Sequence, residues 1–296
     1  FLLGVSAIAR PNILFFALWV PLWVMVESDK GSRIRELFRL GMPFLLGILV
    51  VVAPVTLRNW VVGRDFILIS SQGGITFFFG NNPRSDGKSV TDIGGKVAFA
   101  DAFEDPTWTN SVEFAEKALG RKLKPSEVSG YWYRQGLRFI LYKPEEAIHL
   151  YLKKLYYFMN GHEIPCLHVI YFQRNYSTLL KVLLWEKFIS FPYGIIFPLC
   201  LLGMVFGYKE WRRFLPIYLF FLTYAFTIII FYVWGRYRLP LVGILIIFAV
   251  YGADQLYRRV RERNLKAFFV SLLFLIFLFG LSNSNFFSVR KDDIPY

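Results

Sequence analysis

The sequence predicts a mainly α fold: a polytopic transmembrane helical bundle with a mixed α/β external insert and interfacial helices. Three observations predict it. Of 296 residues, 55% are hydrophobic, 19% aromatic and only 19% charged, and the mean hydropathy is +0.43; soluble domains are about a quarter charged. The apolar residues gather into six long uncharged runs. The basic residues collect in alternate connections between those runs. Together these exclude a soluble globular enzyme, a disordered chain and a disulfide scaffold.

A membrane helix needs about 20 mostly apolar residues. Residues 1–57 supply two spans, one over 12–26 that extends back to Phe1 and one over 40–57. Because the apolar run starts at Phe1 with no basic segment or cleavage site before it, the chain is expected to begin inside a helix. A continuous helix over 1–26 would put Arg10 in or at the edge of the membrane, where an ionisable group is a functional suspect. Residues 188–296 supply four more spans, over 188–207, 214–234, 239–253 and 267–281, and a short external tail.

Loop 27–39 carries Lys30, Arg33, Arg35 and Arg39; loop 208–213 carries Lys209, Arg212 and Arg213; loop 254–266 carries Arg258, Arg259, Arg261, Arg263 and Lys266. Six spans put these three loops on one side, which the positive-inside rule makes cytoplasmic. The insert 58–187 and the tail then face outward from a plasma (inner) membrane. The net charge of +13, from 34 Lys+Arg against 21 Asp+Glu, thus reads as topology and affinity for lipid phosphate. Neither a nucleic acid partner nor a cofactor is expected.

Within the insert, residues 66–71 and 75–79 read as strands joined by a Gln72-Gly73-Gly74 turn. Residues 80–94, rich in Gly, Asn, Asp, Ser and Pro, read as an ordered turn series. Helices are expected over 111–119 and 125–141, the second opened by Pro125 with Glu127 in its first turn. A third opens at Pro144, with Ile148, Tyr151, Leu152, Leu155 and Tyr156 on one stripe and Lys153 and Lys154 off it. Such a basic, aromatic, amphipathic helix is expected to lie along the interface.

Several motifs carry less than they suggest. Gly87-Lys88-Ser89 ends like a phosphate-binding loop, but the leading glycine would stand at position 82, which is Asn82. His162-Glu163-Ile164-Pro165-Cys166-Leu167-His168 holds four potential ligands, yet Pro165 breaks the helix that a zinc motif needs. It reads as a structured turn in which Glu163 pairs with a base or a hydroxylated ligand, and no metal is expected. Asn175-Tyr176-Ser177 is a formal glycosylation sequon. Cys166 in the insert and Cys200 in an apolar run are not expected to pair.

Arg58 closes the second span, and Arg236 and Arg238 sit in the short turn between the fourth and fifth. Boundary arginines commonly anchor by snorkelling. Two of them in so short an external turn run against positive-inside, which favours a clamp on a lipid phosphate.

These motifs fall in an order that resembles glycosyltransferase family 39-like proteins of the GT-C superfamily, which includes protein mannosyltransferases and lipid A aminoarabinose transferases. The motifs are Arg58-Asn59, Gly73-Gly74, Gly80-Asn81-Asn82-Pro83 through Asp86-Gly87, and Lys143-Pro144 with Lys153-Lys154-Leu155. Asn160-Gly161-His162-Glu163-Ile164-Pro165 and Arg236-Tyr237-Arg238-Leu239-Pro240 complete the set. The resemblance covers nearly the whole chain, as the C-terminal two-thirds of the family. It implies transfer of a sugar from a polyprenyl-phosphate donor to a glycan, lipid or protein acceptor on the outer face. It marks Gly74, Asn81, Asn82, Asp86 and Glu163 as substrate-loop residues. It also implies a carboxylate base in an external loop after a first span, a region this sequence does not contain, so no catalytic residue is assigned. Asp86, Asp101, Glu104 and Asp105 read as solvated surface acids. The rival readings are a non-catalytic scaffold or partner subunit that binds glycan or lipid-linked sugar, and a flippase for such a lipid.

Overall fold

The structure, a computed structural model, describes residues 1–29, 31–88, 106–165, 170–185 and 188–287. The principal helices are α1 (Leu2–Ala9), α2 (Val20–Glu27), α3 (Arg33–Val61), α4 (Gly73–Gly80), α5 (Pro106–Leu119) and α6 (Pro125–Tyr142). They continue with α7 (Pro144–Met159), α8 (Tyr193–Gly207), α9 (Trp211–Ile230), α10 (Val242–Arg261) and α11 (Leu265–Asn283). The chain divides into two compact units, one of residues 1–151 and 218–232 and the other of residues 152–217 and 233–296.

Among the described residues four stretches are long and apolar enough to cross a membrane: Arg33–Val61, Tyr193–Ile230, Gly235–Arg261 and Leu265–Asn283. This differs from the six expected spans in two places. The expected continuous helix over 1–26 is interrupted, because Pro11 drives Arg10 into extended backbone (φ −145°) and ends α1. The helical stretch Pro11–Glu27 is apolar but too short to count among them. By length and apolarity the runs 188–207 and 214–234 count as one helical stretch of 38 residues, but a 3₁₀ turn at Tyr208–Glu210 divides it into two helices.

In the first unit α1 packs on α3 at Gly4, where an added Cβ would stand 3.0 Å from that of Val51 and 3.1 Å from the Ile48 carbonyl. α3 contains Pro43 and Pro54, which membrane helices tolerate. Asn12 Nδ2 donates to Thr227 Oγ1 at 3.2 Å, a polar link between apolar segments.

The mixed α/β insert is corrected: among the described residues there is no strand, only an isolated bridge between Trp185 and Phe191. Residues 66–71 run beside the end of α3. Asn59 Nδ2 donates to the Ile67 and Ile69 carbonyls and Thr56 Oγ1 to that of Leu68, so side chains satisfy backbone that a partner strand would otherwise pair. Residues 75–79 lie inside α4. Ile75, Phe77 and Phe79 are buried, and Phe78 packs on Trp132 of α6 with ring centroids 4.6 Å apart. A helix enclosed on several faces loses its 3.6-residue signature, and a short apolar run is then read as a strand.

The expected insert helices are present. α6 is opened by Pro125; Asp65, 6% exposed, accepts from the Ser126 N–H at 2.7 Å and from its hydroxyl. This carboxylate at a helix N-terminus ties residue 65 to 126. On α7, Ile148, Leu152 and Leu155 are exposed at helical spacing, while Tyr156 of the expected stripe is buried.

In the second unit α8 and α10 run parallel. Contacts climb together along both helices, from Leu199 and Gly203 against Phe248 and Gly252 to Phe206 beneath Arg259. A Cβ on Gly203 would lie 1.9 Å from the Phe248 carbonyl oxygen, so this crossing requires a glycine. After the 3₁₀ turn, Phe214 packs against Phe248 and Tyr251. The order along α10 has reversed, so the chain turns back at Tyr208–Glu210.

Candidate functional site

Arg238 organises the second unit. α7 ends at Met159, and Asn160 folds the chain away from it: Nδ2 donates to the Ser284 carbonyl (2.8 Å) and to Tyr156 Oη (3.0 Å), while Oδ1 accepts from the His162 N–H (2.9 Å). The carbonyls exposed by this turn converge on Arg238. Its Nη1 donates to Asn160 O at 2.6 Å, and its Nη2 donates to His162 O and to Glu163 Oε2, each at 3.0 Å. The guanidinium lies over the Tyr193 ring, 3.9 Å from its centroid. The Gly235 N–H closes the turn on the Ile164 carbonyl at 2.9 Å.

Arg238 is therefore not an outward cation. Its side chain is 2% exposed, and its fork is filled by backbone oxygens and one carboxylate. The expectation that it clamps a lipid phosphate is corrected: it knits residues 158–163 to the start of a membrane-length helix. Arg236, two residues earlier on the 3₁₀ turn Gly235–Leu241, is exposed and lies over the rings of Trp234 (4.8 Å) and Tyr237 (5.3 Å). Arg58, near the end of α3, is also exposed and belongs to the other unit.

Glu163 is 24% exposed along its side chain. Its N–H donates to Tyr171 Oη at 2.9 Å, and the Tyr171 ring stacks on His162 at 4.5 Å. Oε2 is held by Arg238, and none of the described residues donates to Oε1. A Cβ on residue 235 would lie 2.3 Å from Oε2, so any side chain there would displace the carboxylate from this position.

The expected substrate loop lies in the first unit. The Gly74 N–H donates to Ser129 Oγ at 3.0 Å. Asn81 is fully buried: Nδ2 donates to the Phe77 and Ile230 carbonyls, and Oδ1 accepts from Tyr151 Oη at 2.7 Å. Burial pushes the Tyr151 hydroxyl up to about 12, so it stays a donor. Asn82 Nδ2 donates to the Phe78 and Phe79 carbonyls, and its Oδ1 accepts from the Arg84 N–H. Ser85 Oγ accepts from Gly87 N–H and Asp86 Oδ1 from Lys88 N–H. Side chains thus fold residues 80–88 as successive turns, with Gly87 at φ +85°. Gly74, Asn81 and Asn82 build the loop, and Asp86 shapes its end.

Lys154 was missed by the stripe reading, which placed it off the apolar face. It is fully buried, and burial lowers its ammonium pKa to about 7. The signal was a second stripe on the same helix: Ala147, Leu150, Lys154, Tyr157 and Phe158 are all buried. Among the described residues no group of three His, Cys, Asp or Glu is arranged for a metal ion. Cys166 and His168, the acids Asp101, Glu104 and Asp105, residues 89–94 and the end of the tail lie outside the described residues.

No family model, curated protein or solved structure matches the chain. The resemblance to GT-C glycosyltransferases rests on the sequence motifs alone.

Proposed function

We propose that the chain is an integral-membrane glycosyltransferase that moves a sugar from a polyprenyl-phosphate donor to an acceptor at the outer face of the plasma (inner) membrane. Arg236 carries this reading. It is an exposed cation flanked by Trp234 and Tyr237 at the opening of a membrane-length helix, and its turn is fixed from inside by Arg238. An exposed guanidinium beside a stacked Trp234–Tyr237 pair at a boundary suits a lipid phosphate. The motif order of the sequence and the four membrane-length helices support it.

In the transfer an acceptor oxygen attacks the anomeric carbon, and the bond from that carbon to the phosphate oxygen breaks. The electron pair leaves with polyprenyl phosphate, and Arg236 stabilises the charge as it develops. The acceptor proton goes to a carboxylate base, a role assigned to no described residue.

The test is binding of farnesyl phosphate to the chain in nanodiscs. Arg236→Ala should weaken it about ten- to a hundredfold, as expected for loss of one charge-assisted contact, and Arg236→Lys should restore it only in part. Equal affinity for wild type and Arg236→Ala would defeat the assignment.

A further inference from the structure

Glu163 is held in an unusual way for a residue with only a structural role. Its partner Arg238 is enclosed, and its two terminal nitrogens already donate to the Asn160 and His162 carbonyls. One carboxylate oxygen, Oε2, completes that fork at 3.0 Å. The other, Oε1, receives no donor from the described residues, and the side chain reaches solvent. The carboxylate is oriented from one side and left with acceptor capacity on the other. It rests directly on Gly235, the residue before exposed Arg236.

An ionised carboxylate only accepts hydrogen bonds, so the chemistry sought is a donor. A cationic donor would meet the charge of Arg238, already on the same carboxylate. A neutral hydroxyl fits. Because Arg238 offsets the charge of Glu163, the acceptor can stand near a bound phosphate without strong repulsion.

We propose that Glu163 Oε1 accepts a hydrogen bond from a hydroxyl of the sugar carried on the lipid phosphate, making Glu163 the residue that distinguishes the loaded donor from bare polyprenyl phosphate. This rests on the lipid-phosphate reading of Arg236. The substitution Glu163→Gln tests it at constant volume. Arg238 presents only donors, so the amide oxygen turns to it and the amide nitrogen takes the place of Oε1, converting an acceptor into a donor.

The full chain in nanodiscs is titrated with farnesyl phosphate and with farnesyl phosphomannose. Wild type should bind the sugar-bearing lipid roughly tenfold more tightly, the size expected of one charge-assisted hydrogen bond. Glu163→Gln should bind farnesyl phosphate like wild type and lose that preference; Arg236→Ala should weaken both lipids together. Glu163→Asp, which keeps the charge and withdraws the oxygen, should also lose it, and provides the test if the glutamine variant does not fold. An unchanged preference in either folded variant, or none in wild type, overturns the assignment of Glu163 while leaving Arg236 intact. Failure of wild type to bind either lipid overturns both.

Discussion

Glu163 and Arg238 meet at 3.0 Å across 75 residues of sequence, and the two halves of the pair live in different environments, 24% and 2% exposed. The arginine is the half that cannot be spared. Removing one partner of a buried pair costs about 3–5 kcal/mol, because the groups left behind lose their compensation. Here those groups include the Asn160 and His162 carbonyls.

Arg238→Met should therefore destabilise the protein by about 3–5 kcal/mol, and Glu163→Gln, which keeps an acceptor toward the guanidinium, by much less. Thermal unfolding in detergent compares them. Equal losses, or a stable Arg238→Met protein, would show that Arg238 is not the keystone of this turn.

Lys154 makes stability depend on pH. Its folded pKa is lowered to about 7 by burial, from an ordinary 10.5. Between these values the unfolded chain holds a proton that the folded chain lacks, so stability rises with pH through that window, by up to ~1.4 kcal/mol per unit. Below it both states are protonated and the burial penalty is felt in full. Lys154→Met should remove this rise and be more stable than wild type near neutral pH. Parallel pH profiles for the two proteins would contradict the assignment.

The α8–α10 crossing yields a pair of opposite effects. Gly203→Ala places a methyl 1.9 Å from the Phe248 carbonyl oxygen and must push the helices apart, a loss of roughly 1–3 kcal/mol. Gly243→Ala, near the start of α10 with nothing within 4 Å, should be neutral or gain up to about 1 kcal/mol from helix propensity. Melting temperatures that move in the same direction would disprove this packing.

The proposed topology is open to labelling. Lys122, with a side chain 94% exposed, replaced by Cys should react with an impermeant maleimide from outside intact cells. A Cys at exposed Arg261 should react only after the membrane is opened. The reverse pattern would turn the proposed reaction to the wrong face.

The sequence by itself determined the apolar runs that became membrane-length helices, because a span is written in length and hydropathy alone. It also determined the starts of α6 and α7, where Pro125 and Pro144 act locally. It misread residues 66–71 and 75–79, whose pattern depends on what lies on each face: Asn59 and Thr56 against one segment, Trp132 and Tyr133 against the other. At the site, the motif Arg236-Tyr237-Arg238 was legible, but not which arginine faces out. Tertiary structure decided that. Asn160, His162 and Glu163 arrive from 75 or more residues away to enclose Arg238, and they leave Arg236 outside. Lys154 was decided in the same way: the second stripe of Ala147, Leu150, Tyr157 and Phe158 was the local sign, but only the packing around that face removes the water that would keep the lysine charged.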